Sequence, residues 1–260
     1  MDWMNSVAGF GVGVMVGVTG VGGGALMTPI LVLLFGVAPA TAVGTDLWFA
    51  AITKLVGGAV HHSKGSVDWQ VMRRLALGSV PTSIVTLAWL YLAGVGQMKN
   101  GFILNALGAV LLLTALAMVF KKRSHALGQR LLATAPDQFK RAQPAMTVVA
   151  GVILGFLVTL TSVGAGALGA VMLLYLYPWR MTPGRLVGTD IVHAIPLTLV
   201  AGTGHMMMGH VDFSLLGGLL LGSVPGVVLG SLISSKTPEN LLRLAIAVVL
   251  AAVGAKLVIS

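Results

Sequence analysis

Long apolar stretches alternate with short polar ones along this chain. Eight stretches are apolar over roughly 20 residues, the length that a helix needs to cross about 30 Å of hydrocarbon. They lie at approximately 7–34, 42–60, 70–93, 101–120, 145–177, 187–204, 213–234 and 240–258. The pattern predicts an all-α polytopic membrane protein with about eight transmembrane segments.

The first and fifth stretches are too long for one straight crossing, and each contains a cluster of small residues. The first cluster holds Gly20, Gly22, Gly23 and Gly24, and the second holds Ser162, Gly164 and Gly166. Irregular backbone survives inside a membrane only where it is buried or lines a polar cavity. We predict at each position either a tilted broken helix or a pair of half-helices that re-enters on the same side. The second arrangement would change the number of crossings and the relative orientation of the two halves.

The two clusters belong to a longer internal repeat. At a constant offset of 144, Val43-Gly44-Thr45-Asp46 matches Val187-Gly188-Thr189-Asp190, and Gly78-Ser79-Val80-Pro81 matches Gly222-Ser223-Val224-Pro225. Such a run of in-register matches indicates an internal duplication. We expect two homologous four-segment repeats over 1–120 and 145–260, joined by a basic cytoplasmic loop over 121–144. An even number of crossings in each half favours parallel halves.

Composition and charge agree with a membrane location. Hydrophobic residues make up 57% of the chain and charged residues 9%, whereas soluble domains average about 25% charged residues. Six of the 16 Lys and Arg residues fall in the predicted loop, namely Lys121, Lys122, Arg123, Arg130, Lys140 and Arg141. Such an excess is typical of a cytoplasmic loop, so we interpret the net charge of +9 as topogenic and expect no nucleic-acid partner. With eight full crossings, both termini would also be cytoplasmic.

The clustered glycines predict a substrate site. A helix that restarts after a break leaves unpaired N–H groups at its positive end, and such an end binds anions. We therefore expect the two clusters to bind substrate together with Thr45 and Thr189 of the repeated Gly-Thr-Asp turns. The glycines spaced four apart, Gly9, Gly13 and Gly17 and then Gly218, Gly222, Gly226 and Gly230, instead favour close helix packing.

Four ionisable residues lie inside or at the start of apolar stretches. Lys54 is the best side-chain ligand for an anion, although an ion pair or a position at the membrane interface is the alternative. Asp46, Asp190 and His193 could couple transport to protons, since acidic groups and histidine exchange protons beside a cavity. For the two aspartates the alternative is a helix-capping role at the start of the second and sixth segments.

Histidine and methionine residues raise a metal alternative. His61, His62, His205 and His210 accompany Met206, Met207 and Met208, and such soft ligands can bind a transition metal. Consecutive methionines point in different directions on a helix, so only some could face one ion. The chain has no cysteine and no Gly-x-Ser-x-Gly or His-Glu-x-x-His motif. We therefore expect no enzymatic activity, no cofactor and no bound metal.

The chain resembles the TauE/SafE sulfite exporter family. The resemblance rests on Gly20 to Gly24, on Ala42-Val43-Gly44-Thr45, on His61 with Gly65-x-Val67-Asp68-Trp69, and on the duplicated halves. It implies a permease or exporter of the bacterial inner membrane for small sulfur-containing or organic anions such as sulfite, sulfonates or sulfoacetate. In both repeats Asp follows the Gly-Thr pair, where the family most often has Ser.

This resemblance leads us to expect a secondary transporter that works by alternating access. Proton or sodium coupling and a homodimer are open alternatives within that expectation. A passive anion channel and a transition-metal cation permease are the rival functions.

Overall fold

The described part of the chain is built from α-helices. The computed structural model describes residues 3–19, 24–63, 65–94, 101–234 and 239–259. Its helices are α1 (Trp3–Thr19), α2 (Gly24–Leu33), α3 (Pro39–Ser63), α4 (Trp69–Leu92), α5 (Gly101–Thr134), α6 (Pro136–Thr161), α7 (Ala167–Leu176), α8 (Pro183–Met207), α9 (Phe213–Ser234) and α10 (Glu239–Ile259). The prediction of an all-α membrane protein is confirmed at this level.

Six of the described helices are long and apolar enough to cross a membrane, against the eight segments that the sequence predicts. These six are α3, α4, α5, α6, α8 and α9, while α7 and the described part of α10 are shorter apolar helices. The first and fifth predicted segments each correspond to two helices, α1 with α2 and α6 with α7.

The second glycine cluster is the tip of a helical hairpin. Gln143 Nε2, near the start of α6, donates a hydrogen bond of 2.6 Å to the Leu176 carbonyl at the end of α7. One turn further along α6, Thr147 Oγ1 lies 2.8 Å from the Tyr177 hydroxyl. The end of α7 thus lies beside the start of α6, so α7 folds back along α6. Of the two arrangements that the sequence predicts for this break, the structure has the half-helix pair.

The residues predicted to form a basic loop are helical. α5 continues to Thr134 and α6 begins at Pro136, so that only Ala135 separates them. The extension of α5 packs on α7, where the close approach of Gly128 to the Tyr175 carbonyl leaves no room for a side chain. This packing stabilises the extension of α5 as a helix, although its polar sequence is typical of a loop.

α3 and α8 pack side by side and run in opposite directions. Gly44, near the start of α3, contacts His210 just beyond the end of α8. Gly58, near the end of α3, contacts Val192 in the first half of α8. These helices carry the matching Gly-Thr-Asp sequences, and parallel halves would run them in the same direction. The structure therefore contradicts the parallel arrangement that the sequence favours.

Two other helix pairs run parallel and share one packing pattern. In α1 and α9, Gly9 lies against Leu219 and Gly13 against Ser223. In α6 and α4, Gly151 lies against Leu75 and Gly155 against Ser79, at offsets of 142 and 144 from the first pair. The predicted packing role of the regularly spaced glycines is confirmed for Gly9, Gly13, Gly222 and Gly226, each of which touches the backbone of the opposite helix.

Candidate functional site

Four buried polar residues meet where α3 packs against α8. Asp46 and Lys54 come from α3, and Asp190 and His193 come from α8. The Lys54 ammonium interacts electrostatically with both carboxylates and with the imidazole. Ionisable groups at this depth are costly to bury in a membrane protein and usually mark a functional site.

Asp46 joins the first half of the chain to the hairpin tip in the second half. Thr28 Oγ1 of α2 donates a hydrogen bond of 2.5 Å to Asp46 Oδ2. The Ser162 hydroxyl lies next to the same carboxylate. Within the described residues, neither Ser162 Oγ nor Asp46 Oδ1 has a hydrogen-bonding partner, although both are buried. The site thus brings a hydroxyl of the second half next to a carboxylate of the first half.

Asp190 lies beside the other end of the same hairpin tip. The Gly166 backbone approaches its carboxylate closely enough for a hydrogen bond. One turn into α7, Gly169 has no side chain, and a methyl group there would lie 2.4 Å from Asp190 Oδ1. That oxygen is buried and has no hydrogen-bonding partner in the described part of the chain. The tip thus runs from one carboxylate to the other.

The capping interpretation of the two aspartates is wrong. α3 begins at Pro39 and α8 at Pro183, so each aspartate lies two turns inside its helix. The aspartates that do cap helices are Asp68 and Asp212, which accept hydrogen bonds from the N–H groups of Val71 and Leu215. Neither Asp46 nor Asp190 therefore caps the helix that carries it.

His193 has a partner that sequence reasoning missed. Its Nε2 lies 2.9 Å from Ser79 Oγ of α4, and both side chains are fully buried. His193 Nδ1 has no partner in the described residues. Ser79 lies in the repeated Gly-Ser-Val-Pro sequence, which was the available signal, but a serine in an apolar helix usually bonds to its own backbone.

Thr45 and Thr189 connect α3 and α8 to other helices. The Thr45 hydroxyl accepts a hydrogen bond of 3.1 Å from the Asp212 N–H, ahead of α9. The Thr189 hydroxyl accepts one of 2.9 Å from the Asp68 N–H, ahead of α4. Each hydroxyl keeps its proton for a further bond, so the substrate-binding role of both threonines stays a prediction.

The predicted glycines divide into two groups. Gly24 begins α2, and Gly20, Gly22 and Gly23 lie outside the described residues. Gly164 and Gly166 have φ angles of 125° and 123°, a region that favours glycine. Gly166 is the N-cap of α7, and its backbone lies next to the Asp190 carboxylate.

The histidines do not form one cluster. His61 bonds to Ser66 beyond the end of α3, and His62 stacks edge-on against Trp69. The rings of His205 and His210 lie 5.6 Å apart beyond the other end of the antiparallel pair. In the described part of the chain, no group of three or more His, Asp or Glu side chains could hold a metal ion. The two histidine pairs are thus too far apart for the shared metal site that the sequence suggested.

Comparison with known proteins identifies the family of this chain. The family model for sulfite exporter TauE/SafE matches residues 6–257. The chain belongs to the TauE/SafE family. As a TauE/SafE protein, it is a membrane transporter, and the resemblance seen in its sequence motifs is confirmed.

Several curated relatives of this TauE/SafE chain are named probable membrane transporter proteins. YjnA of Bacillus subtilis is 39% identical over 252 residues, which cover 96% of this chain and 97% of YjnA. YdhB and YunE of the same organism are 26% and 25% identical, over 91% and 97% of this chain and 92% and 95% of their own lengths. No solved structure matches the chain.

Proposed function

We propose that this transporter moves small sulfur-containing or organic anions, such as sulfite or sulfonates, across the bacterial cell membrane by alternating access. The observation that carries the proposal is the buried Lys54 ammonium, which interacts electrostatically with the two carboxylates that flank the tip of the α6–α7 hairpin. A fixed cation and the positive end of a helix dipole both favour an oxyanion.

Charge balance supports coupling to a second ion. With both aspartates ionised, the site of Lys54, Asp46 and Asp190 carries one positive and two negative charges, which repel an anion. A proton on one carboxyl group removes that repulsion. A sodium ion bound between the buried Asp46 carboxylate and the Ser162 hydroxyl would have the same effect. In either case the anion and the cation bind together.

Helix directions support a pair of inverted halves that rock around the site. α3 and α8 carry matching sequences and run antiparallel. The pair of α1 and α9 and the pair of α6 and α4 each run parallel, with the same packing pattern. Inverted repeats with interrupted helices at the binding site are typical of secondary transporters. We infer that each half has five helices, with the hairpin first, and not the four segments that hydropathy suggested.

Transport in proteoliposomes tests the site. Lys54→Met is expected to lower sulfite flux about tenfold or more, because a charge-assisted bond to the anion is lost. Lys54→Arg keeps the charge and retains more flux than Lys54→Met. Lys256→Met, which removes a cation from the end of α10, is the matched control and leaves flux unchanged. Equal flux in wild type and Lys54→Met would remove Lys54 from the site.

The same vesicles test the mechanism. With a pH or sodium gradient imposed, sulfite is expected to accumulate above its equilibrium level, and the gradient that drives accumulation identifies the coupling ion. Flux that only dissipates the sulfite gradient would instead indicate a passive anion channel.

A further inference from the structure

Two adjoining cavities lie along the start of α6 and the end of α7, and their linings contain none of the four buried polar residues of the candidate site. The first is a polar pocket of about 510 Å³, and its lining includes Arg74, Lys140, Gln143, Tyr177, Trp179 and Arg180. The second is an apolar groove of about 290 Å³, and its lining includes Met146, Val149, Ile153, Met172, Tyr175 and Leu176. We call them the basic pocket and the apolar groove.

Positive charge dominates the basic pocket. Three cations line it, and its described lining contains no carboxylate. Arg180 is already paired, with bonds of 2.5 and 2.8 Å to Asp68. Arg74 donates a hydrogen bond of 3.2 Å to the Tyr177 hydroxyl and has no ion pair within the described residues, and Lys140 is exposed. Arg74 and Lys140 therefore present charge that no acid in the pocket lining compensates, which suits a phosphate group.

The apolar groove continues from the pocket along the same two helices. On α6, Gln143 and Pro144 of the pocket are followed by Ala145 and Met146 of the groove. On α7, Tyr177 of the pocket follows Leu176 of the groove. Further from the pocket, Val149 and Ile153 are 56% and 40% exposed on a helix of membrane-spanning length. A small water-soluble anion would fill the pocket and leave this groove empty.

We propose that an anionic phospholipid binds here, with its phosphate in the basic pocket and one acyl chain in the apolar groove. Trp179, 63% exposed at the rim, is the kind of side chain that lies at the level of lipid headgroups. The lipid would hold together α6 and α7, whose shared tip reaches Asp46 and Asp190. This site is separate from the proposed transport site and does not depend on the transported anion.

Lipid retention tests the proposal directly. Purified protein is delipidated in detergent, and dioleoyl phosphatidylglycerol or dioleoyl phosphatidylcholine is added at equal mole fraction. Native mass spectrometry counts bound lipid, and thermal unfolding measures stabilisation, since a bound ligand stabilises the folded state. We expect selective retention of phosphatidylglycerol. Lys140→Gln is expected to lower it roughly fivefold, whereas Arg141→Gln, an equal loss of charge on the neighbouring exposed residue outside the pocket, leaves it unchanged.

The groove has its own pair of variants. Val149→Trp fills the groove and is expected to reduce retention of phosphatidylglycerol, while Val152→Trp, on an exposed residue outside the groove lining, does not. Glycerol phosphate, which has no acyl chain, serves as a probe of a free-anion site. Equal retention of the two lipids would overturn the proposal. So would stabilisation by glycerol phosphate that matches phosphatidylglycerol and is insensitive to Val149→Trp.

Discussion

Single residues decide how close the two carboxylates come to the hairpin tip. Gly169 is the clearest case, because α7 reaches Asp190 only where no side chain intervenes. Lys54 is a second case, since its ammonium group interacts electrostatically with both aspartates. Each of these side chains is held by one helix and faces another, so a small shift of α7 changes the electrostatic environment of the whole site.

Gly169→Ala tests this dependence. The added methyl group would lie 2.4 Å from Asp190 Oδ1, so the carboxylate or α7 must move. We expect a loss of about 1–3 kcal/mol in unfolding free energy, as for other overpacked cores, together with reduced sulfite transport. Thermal unfolding of the purified protein and flux in proteoliposomes measure the two effects.

The control for this variant is Gly217→Ala. Gly217 lies in α9 and has nothing within 4 Å of an added methyl group, so alanine there is neutral or stabilises the helix. If Gly169→Ala behaved like Gly217→Ala in both assays, the close contact of α7 with Asp190 would have no role in stability or transport.

At the scale of elements, one ion pair joins the start of α4 to the connection between α7 and α8. Arg180 binds Asp68 through two nitrogens and also reaches Gln70. Asp68 in turn caps α4 and donates its N–H to Thr189 of α8. The pair therefore fixes the positions of three helices at one membrane face. The Asp68 side chain is only 5% exposed, but that of Arg180 is 40% exposed. Water therefore screens the attraction between the two charges and lowers the stability that the pair contributes.

A double-mutant cycle measures this link. Arg180→Gln and Asp68→Asn are expected to destabilise the protein singly, and their combination less than additively, with a coupling of about 1–2 kcal/mol. Arg185→Gln removes an exposed charge from the start of α8 and is expected to leave stability unchanged. Stability is measured by thermal unfolding in lipid-free detergent, so that no phospholipid occupies the basic pocket. Additive effects of the two substitutions would mean that the ion pair carries no net stability.

Hydropathy predicted that the apolar stretches are helical, because an apolar helix matches the bilayer whatever its neighbours are. It could not give the direction of α7, which depends on tertiary contacts such as those of Gln143 and Thr147. Lys54, Asp46 and Asp190 stood out in the sequence as charges in apolar surroundings. Thr28 and Ser79 did not, since hydroxyl residues in membrane helices commonly bond to their own backbone. Capping was an alternative for the aspartates only because α3 and α8 begin further upstream than their hydropathy suggests.

At the scale of the whole molecule, positive charge is concentrated on one face. Contacts of Gly128 with Tyr175 and of Gly188 with Ser66 bring together the ends of α3, α5 and α7 and the starts of α6 and α8. α4 starts at this face too, through Asp68. Ten described cations belong to it: Arg73, Arg74, Lys121, Lys122, Arg123, Arg130, Lys140, Arg141, Arg180 and Arg185. By the positive-inside rule this face is expected to be cytoplasmic.

The C-terminus is expected on the opposite, outer face. α10 runs antiparallel to α5, because Gly108 contacts Leu257 while Gly254 contacts Leu111. α5 ends at the basic face, so α10 ends away from it. Eight full crossings would instead place the C-terminus and the basic segment on the same side. The two topologies therefore differ in the location of Ile259 relative to residues 121–144.

Single cysteines distinguish the two topologies, since the chain contains no cysteine of its own. Ala126→Cys, Ile259→Cys and Ala93→Cys introduce thiols at exposed positions on the α5 extension, at the end of α10 and just after α4. In intact cells, a membrane-impermeant maleimide is expected to label Ile259→Cys and Ala93→Cys, and to label Ala126→Cys only after lysis. Ala93 lies outside in both topologies and controls for access of the reagent. Protection of both Ala126→Cys and Ile259→Cys in intact cells would restore the eight-crossing topology and contradict inverted halves.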